Sequence, residues 1–217
     1  MIASKMSRSL TAISLRNAKP AYGAADYPIF MREVDDKMRD LLRRWLGGMD
    51  ANAFYIAFDQ ILFDGHTQAH LIGQAQGGAD FPSIGFGRLA GRQLADEETF
   101  FLRGFVDDML SGKYTKDGEV QAFRILDRMR MYQGKMRGTA ARGFVDTSKQ
   151  EDRFIWKLGG AEDHCGDCPQ LAQMSAEVPF DKSTLFQYPG DGSTPCLWNC
   201  KCHLVRLRDD AMTQRPL

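Results

Sequence analysis

The sequence predicts a mainly α protein: a helical body with one long helix, followed by a small α+β cysteine-rich module at the C-terminus. Three observations predict it. Apolar residues recur at three- and four-residue steps over most of residues 28–149. Short alternating runs bounded by glycine pairs and prolines replace that pattern after Lys149. All five cysteines fall in the last quarter of the chain, none of them in the first 164 residues.

The chain has 217 residues with 28 basic and 28 acidic side chains, so no whole-molecule field draws it to nucleic acid or membrane. Its 43% apolar content suits a folded globular chain. No apolar run approaches the roughly 20 residues that span a bilayer, so a soluble protein with no membrane partner is expected.

Residues 1–27 read as a basic N-terminal arm. Lys5, Arg8, Arg16 and Lys19 stand there among serines and alanines with no acid before Asp26. The composition resembles an organellar transit peptide but lacks the apolar stretch of a secretory signal. An arm that docks on a partner is expected, with a plain surface arm as the alternative.

The helical body is assigned to 28–149. Phe30, Val34, Met38, Leu41, Leu42 and Trp45 form one stripe, which Gly47-Gly48 ends. Asp50 is placed to cap a second helix running to about Gln76, where Gly77-Gly78 stops it. Residues 79–94, with Pro82, Gly85, Gly87 and Gly91, read as a loop or hairpin. Asp96-Glu97-Glu98 opens a third helix to about Leu110, its acids at the end the dipole favours.

A fourth helix, the longest, is expected over about 117–147 with Thr115 or Asp117 as its cap. Ala122, Ile125, Leu126, Met129, Tyr132, Met136 and Ala140 fall within about 120° of each other on it. Arg124, Arg128, Lys135 and Arg142 align within about 40° on the far side. That basic stripe is either a solvated face or a contact for phosphate or an acidic partner.

Residues 150–217 form the cysteine-rich module and tail. Residues 153–158 read as a strand, Gly159-Gly160 as a turn, 175–195 as a long loop with three prolines, and 203–207 as a closing strand. Cys165-Gly166-Asp167-Cys168 presents two sulfurs from one turn, and Cys200 and Cys202 share a face if their segment is extended. Two thiolate pairs separated by a loop are what a tetrahedral zinc site requires. The fourth ligand is left open, since Cys196, His164 and His203 are all spare candidates. A module of about 50 residues has little core of its own, so zinc would contribute folding energy directly. The odd cysteine count argues against a full set of disulfides, and a redox Cys-x-x-Cys normally follows a strand in an alternating architecture that this chain lacks.

Other constellations carry less. His66 and His70 have the spacing of a zinc-protease helix, but Thr67 stands where the general-base glutamate belongs, so two surface histidines are expected and a metallo-hydrolase is the remote alternative. Gly85, Gly87 and Gly91 lack the preceding strand and the Lys-Ser/Thr of a nucleotide loop. With no catalytic constellation in view, the chain is expected not to be an enzyme.

The tail carries a resemblance. Met136-Arg137-Gly138-Thr139-Ala140-Ala141-Arg142, Trp156, Asp163-His164-Cys165-Gly166-Asp167-Cys168-Pro169 and Cys196-Leu197-Trp198-Asn199-Cys200-Lys201-Cys202 resemble the phage minor head, or head-morphogenesis, proteins of the Mu F-like type. Lys201 stands where that family usually has Arg, and the likeness covers about residues 120–208. It implies a structural virion protein in multiple but few copies, assembled in the host cytoplasm with portal or capsid proteins. Its role would lie in head assembly or genome packaging, with packaged DNA as a further partner. A reducing cytoplasm favours zinc over disulfides. The alternative is a zinc-dependent nucleic-acid-binding protein that uses the basic helix face.

Overall fold

A computed structural model describes residues 26–160 and 164–207. The basic arm therefore lies outside the described residues, apart from Asp26 and Tyr27 at the start of the first helix. Four helices make the body: α1 (Asp26–Leu46), α2 (Ala51–Gln76), α3 (Ile84–Leu110) and α4 (Ala122–Asp146). None of them is long and apolar enough to cross a membrane. The chain then forms β3 (Arg153–Lys157), α5 (Asp167–Glu177), a 3-10 turn (Leu197–Asn199) and β4 (His203–Leu207). Strands β1 (Thr115–Lys116) and β2 (Glu119–Val120) make a minimal hairpin between α3 and α4.

The α1 stripe behaves as its spacing requires: Phe30, Val34, Met38, Leu41 and Leu42 are buried, and Trp45 packs edge-on against Phe54 at 5.3 Å. Asp50 caps α2 by accepting from the Ala53 N–H at 2.9 Å. Helix α2 is the hub, packed against α1, α3 and α4. Its Phe54 and Phe58 meet Phe105 of α3 and Tyr132 of α4 at centroid separations of 5.4–6.3 Å, mostly edge-to-face. Such pairs add about 0.5–1.5 kcal/mol each beyond the area they bury.

The third helix starts earlier than expected. Residues 84–94 are helical, capped by Ser83, whose hydroxyl accepts from the Phe86 N–H at 3.5 Å. The glycines that suggested a loop are a packing strip. Gly87 and Gly91 lie one turn apart against α2, and a Cβ at Gly91 would stand 2.3 Å from Thr67 Oγ1 and 2.9 Å from the Phe63 carbonyl. Helix α4 starts later than expected, because Asp117 and Gly118, both at positive φ, turn the β1–β2 hairpin instead of capping a helix. At 26, 27 and 25 residues, α2, α3 and α4 are near equals, so no single helix is the long one.

The buried apolar residues form two clusters. The larger joins α1 to α4 from Phe30 to Ala140. The smaller gathers Val145 of α4 with Phe154, Trp156, Cys168, Leu171, Phe180, Leu185, Cys200 and Cys202. Strands β3 and β4 pair antiparallel beneath it, with Trp156 opposite Leu204. The segment after α5, expected to be a plain loop, is held by two aspartates. The Asp181 carboxylate accepts from the N–H groups of Ser183 and Thr184, and that of Asp191 from those of Tyr188 and Ser193.

Candidate metal centre

Three short pieces of chain bring the thiols together. Cys168 sits in the first turn of α5, a helix start the sequence did not reveal, and Cys165 lies just before it. Cys196 and Cys200 flank the 3-10 turn, and Cys202 directly precedes β4. Leu197, between Cys196 and Cys200, has a φ of 50°, a left-handed conformation that costs a non-glycine residue about 1–2 kcal/mol. Its N–H bonds to the Thr194 carbonyl at 2.7 Å, and the Asn199 N–H to that of Cys196 at 2.9 Å. The turn that presents two of the thiols thus carries backbone strain.

The sulfurs converge. Sγ of Cys165 is 3.3 Å from those of Cys168 and Cys196, and Sγ of Cys168 is 3.7 Å from Cys196 and 3.8 Å from Cys200. A tetrahedral ion with Zn–S bonds of about 2.3 Å holds its sulfurs about 3.8 Å apart. Two trios meet ligand spacing, Cys165–Cys168–Cys196 and Cys168–Cys200–Cys202, each with all its sulfurs within 4.8 Å of one another. All five cysteines are free of disulfides. The cluster can hold a metal ion, and Cys196, a spare candidate by sequence, lies inside it. Of the two spare imidazoles, His164 reaches the group, its Nδ1 3.9 Å from Cys202 Sγ, while His203 stands exposed on β4.

Without an ion the thiols compete for protons. Burial raises the Cys165 thiol, but hydrogen bonds with Cys168 and Cys196 outweigh it and bring it down to about 7. Burial pushes Cys168 up and Cys200 up to about 12. A divalent cation reverses that balance, since a coordinated thiol is deprotonated outright. Surrounding groups fix the frame: Arg137 Nη1 donates to the Cys200 carbonyl at 2.5 Å, and Thr194 Oγ1 lies 3.2 Å from Cys196 Sγ. Arg137 was visible as part of the 136–142 motif, whereas nothing in the sequence marks Thr194.

The basic stripe of α4 takes a different form. Each of its cations lies over an aromatic ring of this same chain: Arg124 over Tyr114 at 5.9 Å, Arg128 over Tyr132 at 5.8 Å, Lys135 over Phe101 at 5.6 Å and Arg142 over Tyr188 at 5.6 Å. Lys135 Nζ is also 3.1 Å from Oε1 of buried Glu98, as an ion pair rather than an aligned hydrogen bond. Of the four, only Arg124 is exposed, and the other three are half-buried.

The two histidines of α2 are not on the surface. His66 is 0% and His70 2% exposed. They continue the four-step row Phe54, Phe58, Leu62, His66, His70, all buried, and that row is the signal a motif-centred reading passes over. His66 Nδ1 lies 2.7 Å from Thr139 Oγ1 and Nε2 3.4 Å from Glu98 Oε2. For His70 the tautomer follows from its neighbours. The Ser83 N–H donates to Gln74 Oε1, so the Gln74 amide nitrogen donates to Nδ1, and Nε2–H donates to Asp146 Oδ2 at 2.9 Å. Both rings tie α2 to α4 and point at separate partners, so they share no metal position.

Glu98→Ala leaves buried His66 and partly exposed Lys135 without their carboxylate. A loss of about 1–3 kcal/mol in urea unfolding is expected, with a smaller loss for Glu98→Gln.

Comparison of the chain with models of known protein families, with curated proteins and with solved structures found no match.

Proposed function

We propose that this chain is a structural minor head, or head-morphogenesis, protein of a tailed phage whose C-terminal module is stapled by zinc. The observation that carries the reading is convergence. The segments that resemble the Mu F-like proteins lie far apart in sequence yet form one unit. Arg137 of α4 holds the Cys200 carbonyl, and a Cβ at Gly138 would stand 2.4 Å from Asp191 Cα. Trp156, 1% exposed, packs in one cluster with Cys168, Cys200 and Cys202. Motif residues that build one packed body around a thiol cluster are what a structural module needs.

Zinc suits the donor set because soft thiolates select d10 ions and a small core gains its folding energy from the closed site. Helix α3 displays Phe86, Leu89, Phe100 and Phe101, each more than half exposed, and Phe81 just before it is 79% exposed. Such surface suits a subunit that docks on portal or capsid proteins in the particle. The α4 cations turned onto aromatic rings support a structural role over one that tracks phosphates, so DNA stays a secondary partner. Mass spectrometry of purified proheads and finished particles tests this. The chain should be present at a few copies per portal ring, and its absence from both kinds of particle would contradict the assignment.

A further inference from the structure

We infer, on the footing that the thiols bind zinc as proposed above, that the centre holds two metal ions in a thiolate-bridged cluster made by Cys165, Cys168, Cys196, Cys200, Cys202 and His164. A single tetrahedral ion uses four donors, whereas five thiols fall into two trios here and a sixth donor, His164, stands beside Cys202. The donors fall into two groups. Cys165 and Cys196 share one trio with Cys168, and Cys200 and Cys202 share the other with it, while His164 Nδ1 is 3.9 Å from Cys202 Sγ. Cys168 belongs to both trios, which is where a bridging sulfur must stand.

Coordination numbers decide how the bridge is built. Two tetrahedral ions have eight positions to fill. Six donors fill them when two of the donors bridge. Cys168 is one bridge, and Cys200, 3.8 Å from it, is the second. Cys165 and Cys196 then complete the first ion, and Cys202 and His164 the second.

Charge points the same way. Two divalent ions against five thiolates and a neutral imidazole leave one residual negative charge, whereas one ion held by four thiolates leaves two. Burial agrees: Cys168, Cys200 and Cys202 are each no more than 2% exposed, and buried thiolates demand cationic compensation.

The test is native mass spectrometry, backed by elemental analysis, on untagged full-length protein purified with zinc. Two zinc ions per chain are expected, falling to one in His164→Ala and in Cys202→Ser. Cadmium-113 substitution of the wild type adds a readout that does not depend on a variant folding: the Cys168 β protons should couple to two cadmium resonances. One zinc per chain, unchanged in both variants, with Cys168 coupled to a single cadmium, would overturn the two-ion cluster and leave the zinc staple standing. No bound metal in the wild type would overturn both.

Discussion

Cys168→Ser will abolish metal binding and unfold the C-terminal module while the helical body stays folded. Cys168 Sγ lies within 3.8 Å of the Cys165, Cys196 and Cys200 sulfurs and is the residue common to both trios. Serine is a poor ligand for a soft ion, and no other donor can take this central place. The smaller cluster has few large apolar residues, chiefly Phe154, Trp156, Leu171, Phe180 and Leu185. Structural zinc contributes about 10–16 kcal/mol of apparent binding free energy in small domains, far more than such a core supplies. The larger cluster runs from α1 to α4 without the cysteines, so helical circular dichroism should fall only modestly. Hydrogen exchange is the check: protection should vanish over 153–207 and persist in α2. Wild-type protection in the variant would show that the core alone holds the module.

Gly73→Val will destabilise the helical body by at least about 3 kcal/mol, a large effect for an uncharged change of modest volume at a buried position. Helices α2 and α4 touch backbone to backbone here. A Cβ at Gly73 would stand 1.9 Å from the Ala140 carbonyl oxygen, and one at Gly143 would stand 2.2 Å from the His70 carbonyl oxygen. Neither obstacle is a side chain that can swing aside, so the helices must separate and lose the His70–Asp146 link beside the contact. Gly104→Ala is the matched control. It sits in α3 with nothing within 4 Å of its would-be Cβ, so alanine should stabilise it by about 0.5–1 kcal/mol through helix propensity. Urea midpoints for the two variants should move in opposite directions. Similar midpoints would mean that α2 and α4 do not approach this closely.

What was legible follows from where the signal was strong. The α1 stripe, the Asp50 cap and the individual strands β3 and β4 were readable because period and capping chemistry act locally, whereas the pairing of the two strands leaves no local mark. The start of α3 was not, because Gly87 and Gly91 are there to let α2 come close, and a contact partner far along the chain leaves no local mark. Helix α5 escaped because its eleven residues begin inside a Cys-x-x-Cys and contain Pro169, which is tolerated in a first turn. The histidines lie in the core rather than on the surface for a related reason: their spacing from each other matches a metal motif, but their register with Phe58 and Leu62 is what buries them. The basic stripe was correct as helix arithmetic, but arithmetic on one helix is blind to Phe101, Tyr114 and Tyr188 on its neighbours. At the metal centre, clustering in sequence found the thiols, while their division into two trios needed three dimensions.

The central claim is that these thiols hold structural zinc, and zinc-edge X-ray absorption on the purified protein addresses it most directly. A coordination shell dominated by sulfur at about 2.3 Å, lost with chelator as protection disappears over 153–207, is the predicted result. Protein that contains no zinc, keeps that protection in chelator and titrates all five thiols as free groups would contradict it.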